Sequence, residues 1–200
     1  MLSVKQVHAA ELREQVYALR YRAYLHEGAI DPTPSESFSD HYDRQPNHVL
    51  WALFDAGVLV GSIRSTWYDP GSAWSIPERD CYGDCLDRHI PAEARLISGN
   101  RFVTEPHRPQ QSDRYAMQLL RHHLTLAAPL SDYGVAAVRA NHLRFYRRVL
   151  KMERGSEARV CPGLKCAMHL ILAETRRTME LIYRDAPCLR PPQEMDEAAA

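Results

Sequence analysis

The segment that most constrains the fold is His48 to Trp67, where two apolar runs of strand-forming residues, HVLWALFD and VLVGSIRSTW, are broken only by Ala56-Gly57. A two-residue connection between such runs signals a β-hairpin, because its tight turn suits the twist of paired strands. An isolated hairpin cannot stand alone in water, so the remaining chain must cover it. Residues 1–8 (MLSVKQVH) alternate apolar and polar as a first strand does. Glu11 to His26 then changes to helical spacing, with Leu12, Val16, Leu19 and Ala23 on one face and Gly28 as the stop.

Beyond this start the same two periods recur. The polar stretch DPTPSESFSDHYDRQPN, Asp31 to Asn47, is too long for a tight turn and reads as a lid or a short irregular element. Tyr68 to Pro91 reads as a long connection holding one helical turn. Ala94 to Thr104 resumes strand character, and Ser112 or Asp113 caps a helix that runs through Met117, Leu120 and Leu124 to Pro129. Val135 to Arg139 is a short apolar strand suited to the middle of a sheet, and Leu143 to Leu150 is helical. Ala158 to Val160 and Ala167 to Ala173 read as closing strands, and Glu174 to Tyr183 as a helix. The order β-α-β-β-β-α-β-α-β-β, without repeat or linker, predicts one α/β domain over residues 1–183: a mixed central sheet flanked by helices. The Pro-containing residues 184–200 read as a flexible tail.

Composition excludes several function classes. Twenty-five Lys and Arg offset twenty-five Asp and Glu, so no basic field draws the chain to nucleic acid. No apolar run is long enough to span a membrane, and the first residues lack the pattern of a signal peptide, so a cytoplasmic location is expected. There, five cysteines are expected as buried free thiols. The alternative, a four-thiolate zinc site from Cys81, Cys85, Cys161 and Cys166, lacks the usual two-residue spacers, and the ten histidines show no metal-ligand spacing; no metal is expected.

Four stretches resemble a known family. Leu19-Arg20-Tyr21-Arg22-Ala23-Tyr24 is similar to the first-helix signature of autoinducer synthases, with Arg20 and Tyr24 as counterparts. Asp40-His41-Tyr42-Asp43 resembles that family's Asp-x-Tyr-Asp pair, and Gly61-Ser62-Ile63-Arg64-Ser65-Thr66 its hairpin-strand motif, with Arg64 at the functional position. Leu143 to Leu150 (LRFYRRVL), followed by Pro162-Gly163-Leu164, is similar to a run found in N-acyl amino acid synthases. From Val16 to Ala173 the chain therefore resembles GNAT-fold acyltransferases, in the branch holding N-acyl amino acid synthases and acyl-homoserine-lactone synthases. The resemblance implies a GNAT fold. It also implies transfer of a fatty acyl group from an acyl carrier protein thioester to the α-amine of an amino acid, with no tightly bound cofactor. Three alternatives stand beside this: a lactone synthase using S-adenosylmethionine, a coenzyme-A-dependent acetyltransferase, and a non-catalytic relative that binds acyl chains or the carrier.

Two departures matter. Where the family has an acidic residue ahead of its Ser-Arg pair, this chain has Ser98 in Ser98-Gly99-Asn100-Arg101, so a candidate general base is missing. Where coenzyme-A-dependent relatives carry a glycine-rich turn, Arg108-Pro109-Gln110-Gln111-Ser112-Asp113 has no glycine to bare the amides that bind a pyrophosphate, which favours the carrier protein as donor.

Aminolysis of a thioester needs a neutral amine, donors for the oxyanion and a proton acceptor. Ser98, Asn100, Arg101 and Tyr146 are the catalytic candidates. The proton acceptor would be a water relayed through Ser98 or Asn100, or else nearby Glu105 or His107, and Tyr146 would protonate the leaving thiolate. A bulge at Gly99 would bring Ser98 and Arg101 to one face and free a backbone amide. Arg20, Tyr24, Asp40, Asp43 and Arg64 are the substrate-binding candidates: the aspartates suit an ammonium, Arg64 or Arg101 a carboxylate, and Arg20 with Tyr24 orients the loop. The same residues equally suit a salt-bridge network fixing the loop. Arg144, Arg147, Arg148 and Lys151 form a basic helix of the sign an acidic carrier protein needs.

Overall fold

The computed structural model describes residues 1–191. Its centre is the expected hairpin. Strand β2 (His48–Asp55) pairs antiparallel with β3 (Val58–Tyr68), and both turn residues have positive φ, 50° at Ala56 and 82° at Gly57, as a type I′ turn requires. Strand β1 (Leu2–Gln6) covers the free edge of β2, and β4 (Leu96–Thr104) pairs antiparallel with the other edge of β3. Strand β5 (Tyr133–Val138) lies parallel to β4, and β8 (Ala167–Glu174) antiparallel to β5. Two-residue strands β6 (Glu153–Arg154) and β7 (Arg159–Val160) finish the edge against β8. The result is one open mixed sheet.

Alternation along each strand sends neighbouring side chains to opposite faces. On one face Leu53, Ile63, Ile97 and Ile171 pack under α3 (Ser112–Leu130) and α5 (Thr175–Asp185), joined by α4 (Leu143–Leu150). On the other face Leu50 and Ala52 pack under α1 (Ala10–His26), while Leu96, Val135 and Leu170 pack under α2 (Pro77–His89). Among the described residues no helix is long and apolar enough to cross a membrane.

The site is positioned by how β4 meets β5. They pair only over Leu96–Ser98 and Tyr133–Val135, then diverge, leaving an opening between the outer part of β4 and the end of β5. Parallel strands also need a crossover, and α3 supplies it.

Four expectations are corrected. The long connection at Tyr68 to Pro91 contains helix α2, which starts with Pro77 at its first turn behind Ile76 and is kinked at Tyr82, where φ is −130°. The kink interrupts apolar periodicity, so only the terminal signals were readable: acidic Glu78 and Asp80 at the start, Arg88 and His89 at the end. The tail does not begin at residue 184, because α5 runs to Asp185 and a short 3-10 turn, Pro187–Leu189, buries Leu189 completely against the α3 and α5 side. Arg121 Nε also donates to the Arg190 carbonyl at 2.6 Å; residues 192–200 lie outside the described residues. Cys81 and Cys161 are not free thiols but a disulfide, joining α2 to the segment after β7 across 80 residues. That removes two of the four thiolates a zinc site would need and leaves Cys85, Cys166 and Cys188 free. Finally, the β4 bulge is not at Gly99. Between the pairs Ser62–Val103 and Arg64–Asn100 an extra residue enters β4, and Arg101 takes φ 48°. Gly99 instead allows close packing, since a Cβ there would meet the His123 ring at 3.2–3.4 Å.

Candidate active site

The polar loop between α1 and β2 closes into a short 3-10 turn, His41–Arg44. Its Asp-x-x-Asp spacing makes a reciprocal cap: Tyr42 N donates to Asp40 Oδ1 and Asp40 N donates to Asp43 Oδ2, each at 3.0 Å. Both carboxylates are thereby aimed inward at three arginines. Arg20, from α1, donates through Nη1 to both Asp43 oxygens at 2.9 Å. Arg64, from β3, bridges the two aspartates, with Nη1 2.6 Å from Asp40 Oδ1 and 2.9 Å from Asp43 Oδ1. Its Nε donates to Asn100 Oδ1 at 2.7 Å. Arg101, turned to this face by the bulge, places Nε 2.8 Å and Nη2 2.7 Å from Asp40 Oδ2.

Arg20 and Arg64 have no exposed side-chain surface and Asp43 almost none, so these three form a buried salt-bridge network. Arg101 differs, with its side chain 10% exposed and stacked over Phe38 and Tyr24 at 4.9 and 5.7 Å. Tyr24 therefore supports Arg101 rather than Arg20. Burial raises the Asp40 carboxyl, but Arg64 and Arg101 more than reverse that and hold it well below its ordinary range. Asp43 is likewise held low, by Arg20 and Arg64 against its burial.

Asn100 links this cluster to Ser98. Its Nδ2 donates to Ser98 Oγ at 2.9 Å and to Thr66 Oγ1 at 3.1 Å, on one face of β4. That face looks into a cavity of about 830 Å³ running along the opening between β4 and β5. Tyr24, Asp40, Asn100, Arg101 and Tyr146 line it; Ser98, Arg20, Asp43 and Arg64 stand behind its wall. The remainder is largely apolar, with Phe102, Val103, Ala137, Val138 and Phe145 among its walls. Burial pushes the Tyr146 hydroxyl up, so it holds its proton. Glu105 lines the cavity but is engaged by Arg22 at 3.3 Å, and His107 is exposed.

The residue that sequence reasoning missed is Glu78, in the first turn of α2. It is 1% exposed, lines the cavity, and its Oε2 is buried without a hydrogen-bond partner. Tyr42 is a second omission: its hydroxyl donates to the Asp80 carboxylate, which accepts from Ser75 Oγ at 2.6 Å, so the loop is tied to α2. Both were hidden because α2 itself was hidden.

The basic helix is divided. Arg144, Arg147 and Arg148 are exposed, whereas Lys151 ends α4 in the left-handed region at φ 55° and pairs with Asp185 of α5 at 2.7 Å. Lys151 thus ties two helices together, and the exposed charge belongs to the three arginines.

Residues 15–174 match the model of a family described as N-acyl amino acid synthase FeeM. The solved structure of FeeM, an N-acyl amino acid synthase from uncultured soil microbes, matches with a TM-score of 0.75 at 17% identity, over 92% of this chain and 98% of that one. BjaI, a coenzyme-A-dependent acyl-homoserine lactone synthase solved with MTA, gives a TM-score of 0.67 at 11% identity over 96% of this chain and 92% of that one. A putative N-acetyltransferase from Lactobacillus plantarum gives 0.58 at 14%, over 87% and 98%. At such identities the likeness establishes the fold, which is the GNAT-like one expected from the sequence. No curated protein matches the chain by sequence.

Proposed function

The chain belongs to the FeeM family of N-acyl amino acid synthases, and from that premise we propose that it moves a fatty acyl group from an acyl carrier protein thioester to the α-amine of an amino acid. Acyl transfer is common to the family. The observation that carries the proposal is the cavity itself: about 830 Å³ with largely apolar walls and a polar cluster in its lining, where Arg101 alone among the cluster's three arginines is open to a ligand.

The acyl chain lies along the opening between β4 and β5, as an apolar guest in an apolar cleft. The bulge at Arg101 frees a backbone amide from the ladder beside the reacting carbonyl, where a donor stabilises the oxyanion. Arg101 takes the amino acid carboxylate, with Asp40 holding the guanidinium in place. Tyr146, which keeps its proton, gives it to the departing thiolate. The transfer is redox-neutral and the thioester supplies its driving force, so it calls for no bound cofactor.

Two features favour the carrier protein as donor. Exposed Arg144, Arg147 and Arg148 offer an acidic partner a basic face beside the cavity wall formed by Phe145 and Tyr146. The turn entering α3, Pro109–Gln111, has no glycine, and Asp113 stands in the first turn of the helix, where it opposes a pyrophosphate.

The test is mass spectrometry of lipid extracts from bacteria expressing the wild type or Arg101→Ala. New N-acyl amino acids lost in the variant support the reading; lactones in their place, or no new lipid, overturn it. With purified protein, Arg144→Glu combined with Arg148→Glu is expected to raise KM for acyl carrier protein about tenfold or more and leave KM for acyl-pantetheine unchanged. Equal effects on both donors would remove carrier docking from this helix.

A further inference from the structure

Each carboxylate along the cavity can be asked what holds it. Asp40 is bound by two guanidiniums, Glu105 by Arg22, Glu27 by Arg139 at 3.0 Å, and Asp80 by two hydroxyls. Asp113 is exposed at the start of α3. Glu78 alone among these is buried with a carboxylate oxygen unpartnered. No cation pairs with it within ion-pair distance among the described residues, although an unpaired buried carboxylate is strongly disfavoured. A group kept at such cost on a cavity wall is a candidate for chemistry.

We propose that Glu78 is the general base of the acyl transfer, accepting a proton from the attacking amine; this rests on the amine-acylating function above. The carboxyl stands beside the Ser98 hydroxyl and the Ala137 backbone, where β4 and β5 separate. The base absent from position 98 of β4 is thus supplied from α2, an element the hairpin motifs do not reveal.

One ammonium proton passes to the Glu78 carboxylate, and the freed lone pair forms the C–N bond at the thioester carbonyl carbon, whose oxygen becomes anionic. Re-formation of the carbonyl breaks the C–S bond. The thiolate takes a second nitrogen proton by way of the Tyr146 hydroxyl, leaving an amide with one N–H and a free thiol. Glu78 then returns its proton to water as product leaves.

The surroundings suit that role. Burial raises the carboxyl's proton affinity, partly opposed by the Ser98 hydroxyl, by nearby backbone and by Arg64. Tyr42, Tyr82 and Tyr146 feel its charge, and their hydroxyls are each pushed up, chiefly by burial. Of the other carboxylates on the cavity wall, Asp40 is held low by Arg64 and Arg101, and Asp80 accepts from two hydroxyls.

The experiment compares wild type, Glu78→Gln and Glu78→Ala in the purified acyl transfer assay. Glu78→Gln preserves shape and is expected to lower kcat by a factor of about 100 or more, the usual worth of a positioned base, with KM within about threefold. Added formate is expected to restore part of the activity of Glu78→Ala, which a merely structural role would not allow. A Glu78→Gln enzyme within about threefold of wild-type kcat overturns the proposal and leaves the acyl-transfer reading standing. A wild type that acylates no amine overturns both. Should the variants fail to fold, carbon-13 NMR of glutamate-labelled wild type still decides: the proposal expects the Glu78 carboxyl to titrate above its ordinary 4.5, and a midpoint at or below that value overturns it.

Discussion

At the residue scale, the five-membered chain Arg20–Asp43–Arg64–Asp40–Arg101 gives each buried charge an opposite neighbour. Arg64 sits at its centre, so Arg64→Met leaves two carboxylates short of a partner and is expected to cost about 3–5 kcal/mol in urea unfolding at pH 7. A cost near zero would mean the aspartates find water instead. The acid dependence follows from the lowered values of Asp40 and Asp43. The unfolded chain titrates near the ordinary 3.8, so their stabilisation is complete above that pH and drains away as pH falls below it toward their folded values. Asp40→Asn is expected to lower stability at neutral pH and to flatten this acid decline; an unchanged slope would show that Asp40 is not held by its arginines.

At the scale of elements, helix α2 is secured at several points. Its amino end meets the 3-10 turn through Asp80 and Tyr42, its middle is joined to Cys161 through Cys81, and Asp84 pairs with Arg159 of β7 at 2.6 Å. The disulfide closes an 80-residue separation, and reducing it is expected to cost about 2–4 kcal/mol, read as a lower urea midpoint with reductant. Thiol titration of the unfolded, unreduced protein is expected to count three thiols, and five after reduction; five before reduction would show that Cys81 and Cys161 are not joined. The bulge in β4 matters in a second way. It aligns Arg101 with Asn100 and Ser98 on one face, which regular alternation forbids.

At the scale of the whole molecule, the cavity comes from an unfinished sheet. Antiparallel pairing is continuous from β1 to β4, while the short parallel β4–β5 contact lets the sheet part and the cavity form between its halves. Ala137 lies on the β5 wall of that opening. Ala137→Phe is expected to narrow it and move the products toward shorter acyl chains, read by mass spectrometry of the extracted lipids. An unchanged chain-length distribution would place the acyl group elsewhere.

Side-chain periodicity and turn chemistry are local properties of a chain, so the hairpin, the helix after the first strand, the alternation of strands with helices and the polar motifs are all legible from the residues alone. The pairing of Asp40 with Arg101, 61 positions apart, was legible only as a set of charged candidates; which were buried struts and which faced the cavity depended on the depth of each strand. Helix α2 escaped because a kink at Tyr82 breaks its period, and Glu78 escaped with it. The Cys81–Cys161 bond escaped because spacing along the chain says nothing of distance between elements brought together across a sheet. Tertiary structure alone decided these, since burial, bulge position and the parting of β4 from β5 arise from how the elements pack, and no single segment carries that information.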